Sequence, residues 1–338
     1  MSNLPPRPII GAGIVIAAVA YAAFYFNHFE TPTGDYMGNI MVLVIDYMGG
    51  AFPGDNYKFL PLYPLVLSAL TPLFPVKVPD PIYMTAIVLN LLLYIPYILL
   101  AYTMFRKFLS EKVALAALLF LGMNIYTVYM ATNSELELLL SLLILLSLHL
   151  SMRDNRFSYA AAFFTALTKW YSVFIVPAVM FRDFFYHKKR ILALVLGTAA
   201  TAGIGAWFLL SIINSPGHTH PYVSEIAHRG PNIYRYLIDC LLVATSFVQW
   251  MATHAWFSDN RAVSISLLAF LPIPVVVALT GIIWGAVLIW KRERREFAPV
   301  FIFLAGFILI HLVYQNPKDL YVMPILWIMT LFLFFGLS

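Results

Sequence analysis

The chain alternates long apolar runs of roughly 17 to 25 residues, the length that crosses a bilayer as a helix, with short polar breaks. No stretch carries the period of two that marks a half-buried strand, so the pattern predicts helices throughout. Ile9 to Asn27 reads as a first helix, and a polar loop with Pro-framed, interfacial segments follows from 28 to 81. Pro61, Pro64, Pro72 and Pro75 make Leu62 to Pro75 too broken to cross, so it is expected to return to the membrane as a re-entrant or interfacial helix. Spans are then expected at Ile82 to Met104, Val113 to Ala131 and Leu138 to Leu150, and later at Ile191 to Ile213, Leu268 to Trp290, Ala298 to Tyr314 and Leu320 to Gly336.

Two segments resist this scheme. Phe157 to Phe181 has Arg153 and Arg156 before it and Arg182, Lys188, Lys189 and Arg190 after it, so a single crossing would put basic clusters on opposite faces. Two half-length helices meeting near Lys169 remove the conflict. Residues 236–257 would likewise invert the Lys291, Arg292, Arg294 and Arg295 cluster if they crossed, and are read as re-entrant or interfacial. The expected architecture is an all-α, polytopic bundle of about ten membrane helices, two of them half-length. It forms one integrated membrane domain: a module over 1–190 with polar turns at 28–81 and 132–137, then helices over 191–338 with a loop at 214–262.

Composition agrees, since at 62% hydrophobic and 11% charged the chain has too little polar surface to enclose itself in water. The one cysteine, Cys240, excludes an internal disulfide and a cysteine-based metal cluster. Charge orients the bundle. With Arg7 placed inside, the inner turns hold 14 of the 21 basic residues and 5 of the 16 acids, leaving 7 basic residues and 11 acids outside. The basic bias defines the orientation. The outer acidic excess is independent of it and points to polar chemistry on that face.

Asp35, beside Tyr36, is the first candidate: a carboxylate at the hydrocarbon boundary gains basicity and suits a general base, although a solvated loop acid is the plain alternative. Asp46 shares its face only if one helix joins them. Glu135 and Glu137, beside Asn133, stand at the mouth of an apolar helix, where acids are costly unless they bind something; Asn133 or Ser134 could also serve simply as a cap. Lys169, flanked by apolar residues, can hold a phosphate as a point charge or snorkel to the interface. The outer loop after Ile213 offers His218, His220, Arg229 and Arg235, and the last outer turn offers Lys318. The arginines fit phosphate better than the histidines fit zinc, because a His-x-His pair lacks a third ligand at telling spacing. No Walker pattern or nucleophile motif is present.

Asp35-Tyr36, Gly49-Gly50, the run Tyr57-Lys58-Phe59-Leu60-Pro61-Leu62, Asn133-Ser134-Glu135, and Thr168-Lys169-Trp170-Tyr171-Ser172 ahead of Val176-Pro177 occur in this order. Together they resemble the GT-C superfamily of membrane glycosyltransferases, and within it the polyprenol-phosphate-mannose-dependent branch typified by the catalytic subunit of GPI mannosyltransferase I and its prokaryotic relatives. The chain departs from that pattern in two places: Thr33 stands where the family has the first acid of its Asp-x-Asp, and Lys58 where it has arginine.

The resemblance implies inverting transfer of a hexose, most simply mannose, from a polyprenyl-phosphate donor to a lipid-linked or protein-linked acceptor hydroxyl on the outer face. Asp35 would be the base. Lys169, Lys58, Arg229, Arg235 and Lys318 would face the donor phosphate. Tyr36, Asp46, Tyr57, Asn133, Glu135, Glu137, His218 and His220 would face the sugar or acceptor. No cofactor is required, a divalent cation is compatible, no nucleic acid is expected, and a small membrane subunit could assist. The expected location is the plasma membrane of a prokaryote. A lipid-linked-sugar flippase would instead carry internal repeats and midplane polar residues, and an inactive scaffold subunit is the other alternative.

Overall fold

The computed structural model describes residues 13, 39–51, 60–73, 80–214, 272–313 and 323–338, and every regular element among them is helical. In chain order these are α1 (Met41–Met48), α2 (Leu62–Leu70), α3 (Pro81–Phe108), α4 (Glu111–Gly122), α5 (Ile125–Thr132), α6 (Glu137–Met152), α7 (Phe157–Ala166), α8 (Ile175–Phe185), α9 (Arg190–Asn214), α10 (Pro272–Val313) and α11 (Leu326–Leu337). The expected first helix and residues 236–257 lie outside the described residues.

The bundle is organised around α6. Leu138, Leu140, Ser141, Ile144, Leu145, Ser147 and Leu148 are completely buried while Leu142, Leu143, Leu146 and Leu150 are half-buried, so α6 sinks one broad face into the core, and it packs on α3, α5, α7, α8 and α10. Ser141 and Ser147 do not disturb the core because each returns its hydroxyl to the preceding turn: Ser141 donates to the Glu137 carbonyl and Ser147 to that of Leu143, both at 2.7 Å. From Glu137 to Ser151 the helix rises about 21 Å, most of a hydrocarbon layer of roughly 30 Å. These two residues therefore mark opposite poles.

One pole is basic. Lys107 pairs with Glu296, the Arg295 guanidinium lies 5.6 Å from the Tyr186 ring centre, Lys189 holds Asp154 at 2.7 Å, and Arg182 donates to the Ser151 carbonyl at 2.6 Å. The four basic turns grouped together on sequence thus meet in space.

Three helical segments bear on the expected topology. The break near Lys169 is present: α7 ends at Ala166, Lys169 is extended (φ −149°, ψ 136°), and a 3-10 turn, Trp170–Phe174, leads into α8. The helical run Pro272–Val313 is too long for one crossing, and Glu293 leaves the helical conformation (φ −124°, ψ 20°). The Trp290 and Phe301 rings, eleven residues apart, meet edge to face at 5.1 Å, whereas a straight helix would separate them by about 16 Å. The chain therefore folds back at Glu293, giving the two antiparallel arms expected.

The third segment is a correction. The crossing expected over Val113 to Ala131 is made of two helices, α4 and α5, with a bend of 57° between them that the apolar run does not reveal. Asn124 caps α5 by accepting from the Tyr126 amide at 3.0 Å, and the Tyr94 hydroxyl takes the Gly122 carbonyl left over at the end of α4 at 2.7 Å. The turn residues expected to cap α6 are also corrected: Leu136 occupies the cap position without a side-chain bond, and Asn133 accepts instead from the Ser134 amide at 2.7 Å.

The folded-back arms of α10 close against α11 through small residues. A Cβ on Gly285 would collide with the Phe332 carbonyl oxygen, and one on Gly336 with that of Gly281, so glycine is what lets these backbones touch. With α3 and α9 each long and apolar enough to span, the protein is a multi-pass membrane protein.

Candidate functional site

At the pole opposite the basic turns, three segments distant in sequence converge. The Leu62 amide at the start of α2 donates to the Leu167 carbonyl at 3.2 Å, and the buried Tyr63 hydroxyl donates to the Ser134 carbonyl at 2.9 Å. The proline-framed helix is thereby pinned between the α5–α6 turn and the break after α7. Its prolines at 61 and 64 stand in the first turn, where an absent amide hydrogen costs nothing.

From α3, Asn90 reaches the same turn. It is completely buried, and its amide donates to the carbonyls of Asn133 at 2.6 Å and Glu135 at 2.7 Å. Those carbonyls lie between helices, where neither α5 nor α6 can satisfy them.

Beyond this clamp, Glu137, the first residue of α6, forms an ion pair with Lys169. The carboxylate side chain is 2% exposed and the lysine side chain 15%. Glu137 Oε2 is buried and makes no hydrogen bond among the described residues, so the pair's contact runs through Oε1. The lysine is fixed from behind as well. The Ser172 hydroxyl lies 2.6 Å from the Lys169 carbonyl and 2.8 Å from that of Thr165, and the ammonium lies 5.4 Å from the centre of the Tyr171 ring.

Tyr171 in turn packs edge to face on Phe307 at 5.4 Å and lies 4.8 Å from His311, both on the second arm of α10. His311 is buried with Nδ1 at 2.7 Å from the Phe307 carbonyl oxygen. That oxygen can only accept, so Nδ1 carries the hydrogen. Phe174 fills the space that a side chain at Gly306 would take, which seats the 3-10 turn against α10.

Of the residues singled out on sequence, the structure thus joins Glu137 to Lys169 and places Asn133 and Glu135 in the adjoining turn. Asp46 is half-buried on α1, with no hydrogen bond or ion pair to Glu137 or Lys169 among the described residues. Asp35, Tyr36, Tyr57, Lys58, His218, His220, Arg229, Arg235 and Lys318 lie outside the described residues. Asn90, Tyr63 and His311 were not anticipated, and Tyr171 was named only within the run around Lys169. Asn90 had a readable signal, a lone carboxamide inside a long apolar helix.

A possible cation site falls elsewhere. The ligand atoms of Asp154, Asp183 and His187 lie within 4.8 Å of one another at the basic pole, but Lys189 already occupies both Asp154 oxygens and the Tyr159 hydroxyl donates to Asp183 at 3.0 Å.

No family model and no curated protein matches this sequence. Two solved structures do. ArnT from Cupriavidus metallidurans bound to undecaprenyl phosphate superposes with a TM-score of 0.60 at 14% identity, covering 97% of this chain and 60% of that one. The apo form of the same protein gives 0.56 at 15% identity, covering 98% and 60%. The chain spans about 60% of the length of ArnT. What the likeness shows is the fold: this chain adopts the GT-C-like, ArnT-type helical architecture.

Proposed function

We propose that this protein is a membrane glycosyltransferase that moves a sugar from a polyprenyl-phosphate carrier to an acceptor hydroxyl. The observation that carries the reading is the buried Glu137–Lys169 pair, set at the pole where segments 62–63, 133–137 and 167–171 meet. It sits in a fold whose structural neighbour ArnT has been solved with undecaprenyl phosphate bound.

The chemistry follows from the charges. The acceptor oxygen attacks the anomeric carbon and its proton passes to a base, assigned to Asp35. The bond from the anomeric carbon to the phosphate oxygen breaks, and its electron pair leaves with the polyprenyl phosphate. Negative charge grows on that phosphate in the transition state. An ammonium held in place beforehand stabilises it without reorganisation. Glu137 and the Tyr171 ring hold Lys169 in this way, and Lys58, Arg229, Arg235 and Lys318 are assigned to assist it. Glu135 is assigned to orient the sugar. Attack from the face opposite the phosphate inverts the anomeric configuration.

Mannose is the sugar we assign, and the face is the extracytoplasmic one, on the sequence pattern that placed the acids there and the basic turns inside. The plasma membrane of a prokaryote is the assigned location. The test is purified protein with radiolabelled polyprenyl-phosphate mannose and a panel of lipid and peptide acceptors, alongside Asp35→Asn. Label transferred by the wild type and not by the variant supports the reading, and equal transfer by both removes Asp35 from the role of base.

A further inference from the structure

The basic pole carries a hollow of about 400 Å³ between the α6–α7 turn, Asp183 on α8 and the start of α9. Arg153, Arg156 and Lys189 line it, together with Asp154, Asp183 and Leu192. Its two acids are already engaged, Asp154 by Lys189 and Asp183 by the Tyr159 hydroxyl. Arg153 and Arg156 are different: both are exposed, and neither forms an ion pair among the described residues. Across the turns 153–156 and 182–190, six basic residues face two acids. Asp154 (φ 54°) and Lys188 (φ 57°), one in each turn, are the non-glycine residues with left-handed backbone among the described residues, so both turns hold a conformation that side chains resist.

Charges that merely obey the orientation rule would splay into water. Here both arginines line a concavity, and an apolar strip lies beside it. Leu192 lines the hollow, and Ile191, Leu194 and Val195 beside it on the first turns of α9 are exposed. In a membrane that strip faces acyl chains. The juxtaposition has the two parts of a phospholipid: forks that bind a phosphate bidentately and a greasy wall running from them into the bilayer.

We propose that this hollow seats the headgroup phosphate of an anionic phospholipid, with Arg153 and Arg156 on the phosphate and the acyl chains along Ile191, Leu194 and Val195. The site is separate from the Glu137–Lys169 pole and does not depend on the sugar-transfer reading. It ties the α6–α7 turn to the start of α9 and fixes the depth of the basic pole in its leaflet.

The test is native mass spectrometry of the full chain released from nanodiscs of equal parts phosphatidylglycerol and phosphatidylcholine. The wild type is expected to retain phosphatidylglycerol about tenfold over phosphatidylcholine. Arg153→Gln with Arg156→Gln should erase most of that preference with an unchanged melting temperature, because both residues are exposed. Lys112→Gln with Lys291→Gln, which removes two exposed charges outside the hollow, should leave it intact. Equal loss in both double variants would show diffuse surface charge and overturn the proposal, as would undiminished preference in the arginine variant. Displacement of the lipid by inorganic phosphate at equal concentration would reassign the hollow to a free anion and overturn the lipid assignment.

Discussion

The ammonium of Lys169 rests on the carboxylate of Glu137, 32 residues earlier in the chain, with the carboxylate almost wholly removed from solvent. Two charges in such a place attract strongly and are also costly to desolvate, so their net contribution to stability is small while the loss of either partner is not. Glu137→Leu and Lys169→Met singly are expected to destabilise the protein by about 3–5 kcal/mol, and the double variant to recover most of that loss. Thermal unfolding in one detergent across the four proteins of the cycle measures it. Additive losses in the double variant would mean that the two side chains do not act as a pair.

Asn90 is expected to matter beyond its size. Asn90→Leu keeps the volume but strips the donors from the Asn133 and Glu135 carbonyls, two buried acceptors that should cost about 1–3 kcal/mol each when orphaned. Because the clamp sets the turn leading into Glu137, transfer should fall further than the melting temperature alone explains. Assaying activity well below the melting temperature of the variant separates the two effects.

Two glycines provide a contrast within one fold. Gly285→Ala forces a methyl group into the Phe332 backbone carbonyl, which no rotamer change relieves, and should separate α10 from α11. Gly205→Ala on α9 meets nothing within 4 Å and should be neutral, or stabilising by up to about 1 kcal/mol through helix propensity. Melting temperatures of the two variants should therefore move apart.

Acid should leave the Asp154 contact intact until late. The hydrogen bond from Lys189 holds the Asp154 carboxyl below the usual carboxylate range, with burial opposing it and the charges of His187, Lys189 and Arg182 adding to it. A depressed folded value means that its stabilisation is present above about pH 4, the unfolded value, and is lost as pH falls through the folded one. The melting-temperature difference between the wild type and Asp154→Asn should be small, because the pair is exposed, constant from neutral to mildly acidic pH, and gone only in stronger acid. A difference that vanishes near pH 6 would place the titration on another group.

Most of the fold was legible in the sequence because crossing helices are written in long apolar runs and basic turns. The break at Lys169 followed from basic residues that could not lie on two faces, and the reversal at Glu293 from a charged interruption between two apolar runs. The bend at Asn124 did not, since a capping asparagine inside an apolar run looks the same whether it stops a helix or hides in one. The site was legible in outline only. Glu135 and Glu137 are two residues apart, so the helix start decides which one points at Lys169, and that start shows no capping side chain to mark it. Asn90, Tyr171 and His311 come from helices whose rotation about their own axes is set by packing alone. Asp35 and the loop arginines, outside the described residues, keep the roles that sequence proposes for them.

The most direct measurement of the central claim is binding of undecaprenyl phosphate against undecaprenol to the wild type and to the Glu137→Leu, Lys169→Met double variant, in nanodiscs of zwitterionic lipid. That variant loses the ammonium without stranding a buried charge, so it should remain folded. The wild type is expected to favour the phosphorylated lipid at least about tenfold, roughly 1.4 kcal/mol, and the folded double variant to lose most of that preference. Equal preference in both proteins would contradict the assignment of the Glu137–Lys169 pair to the carrier phosphate.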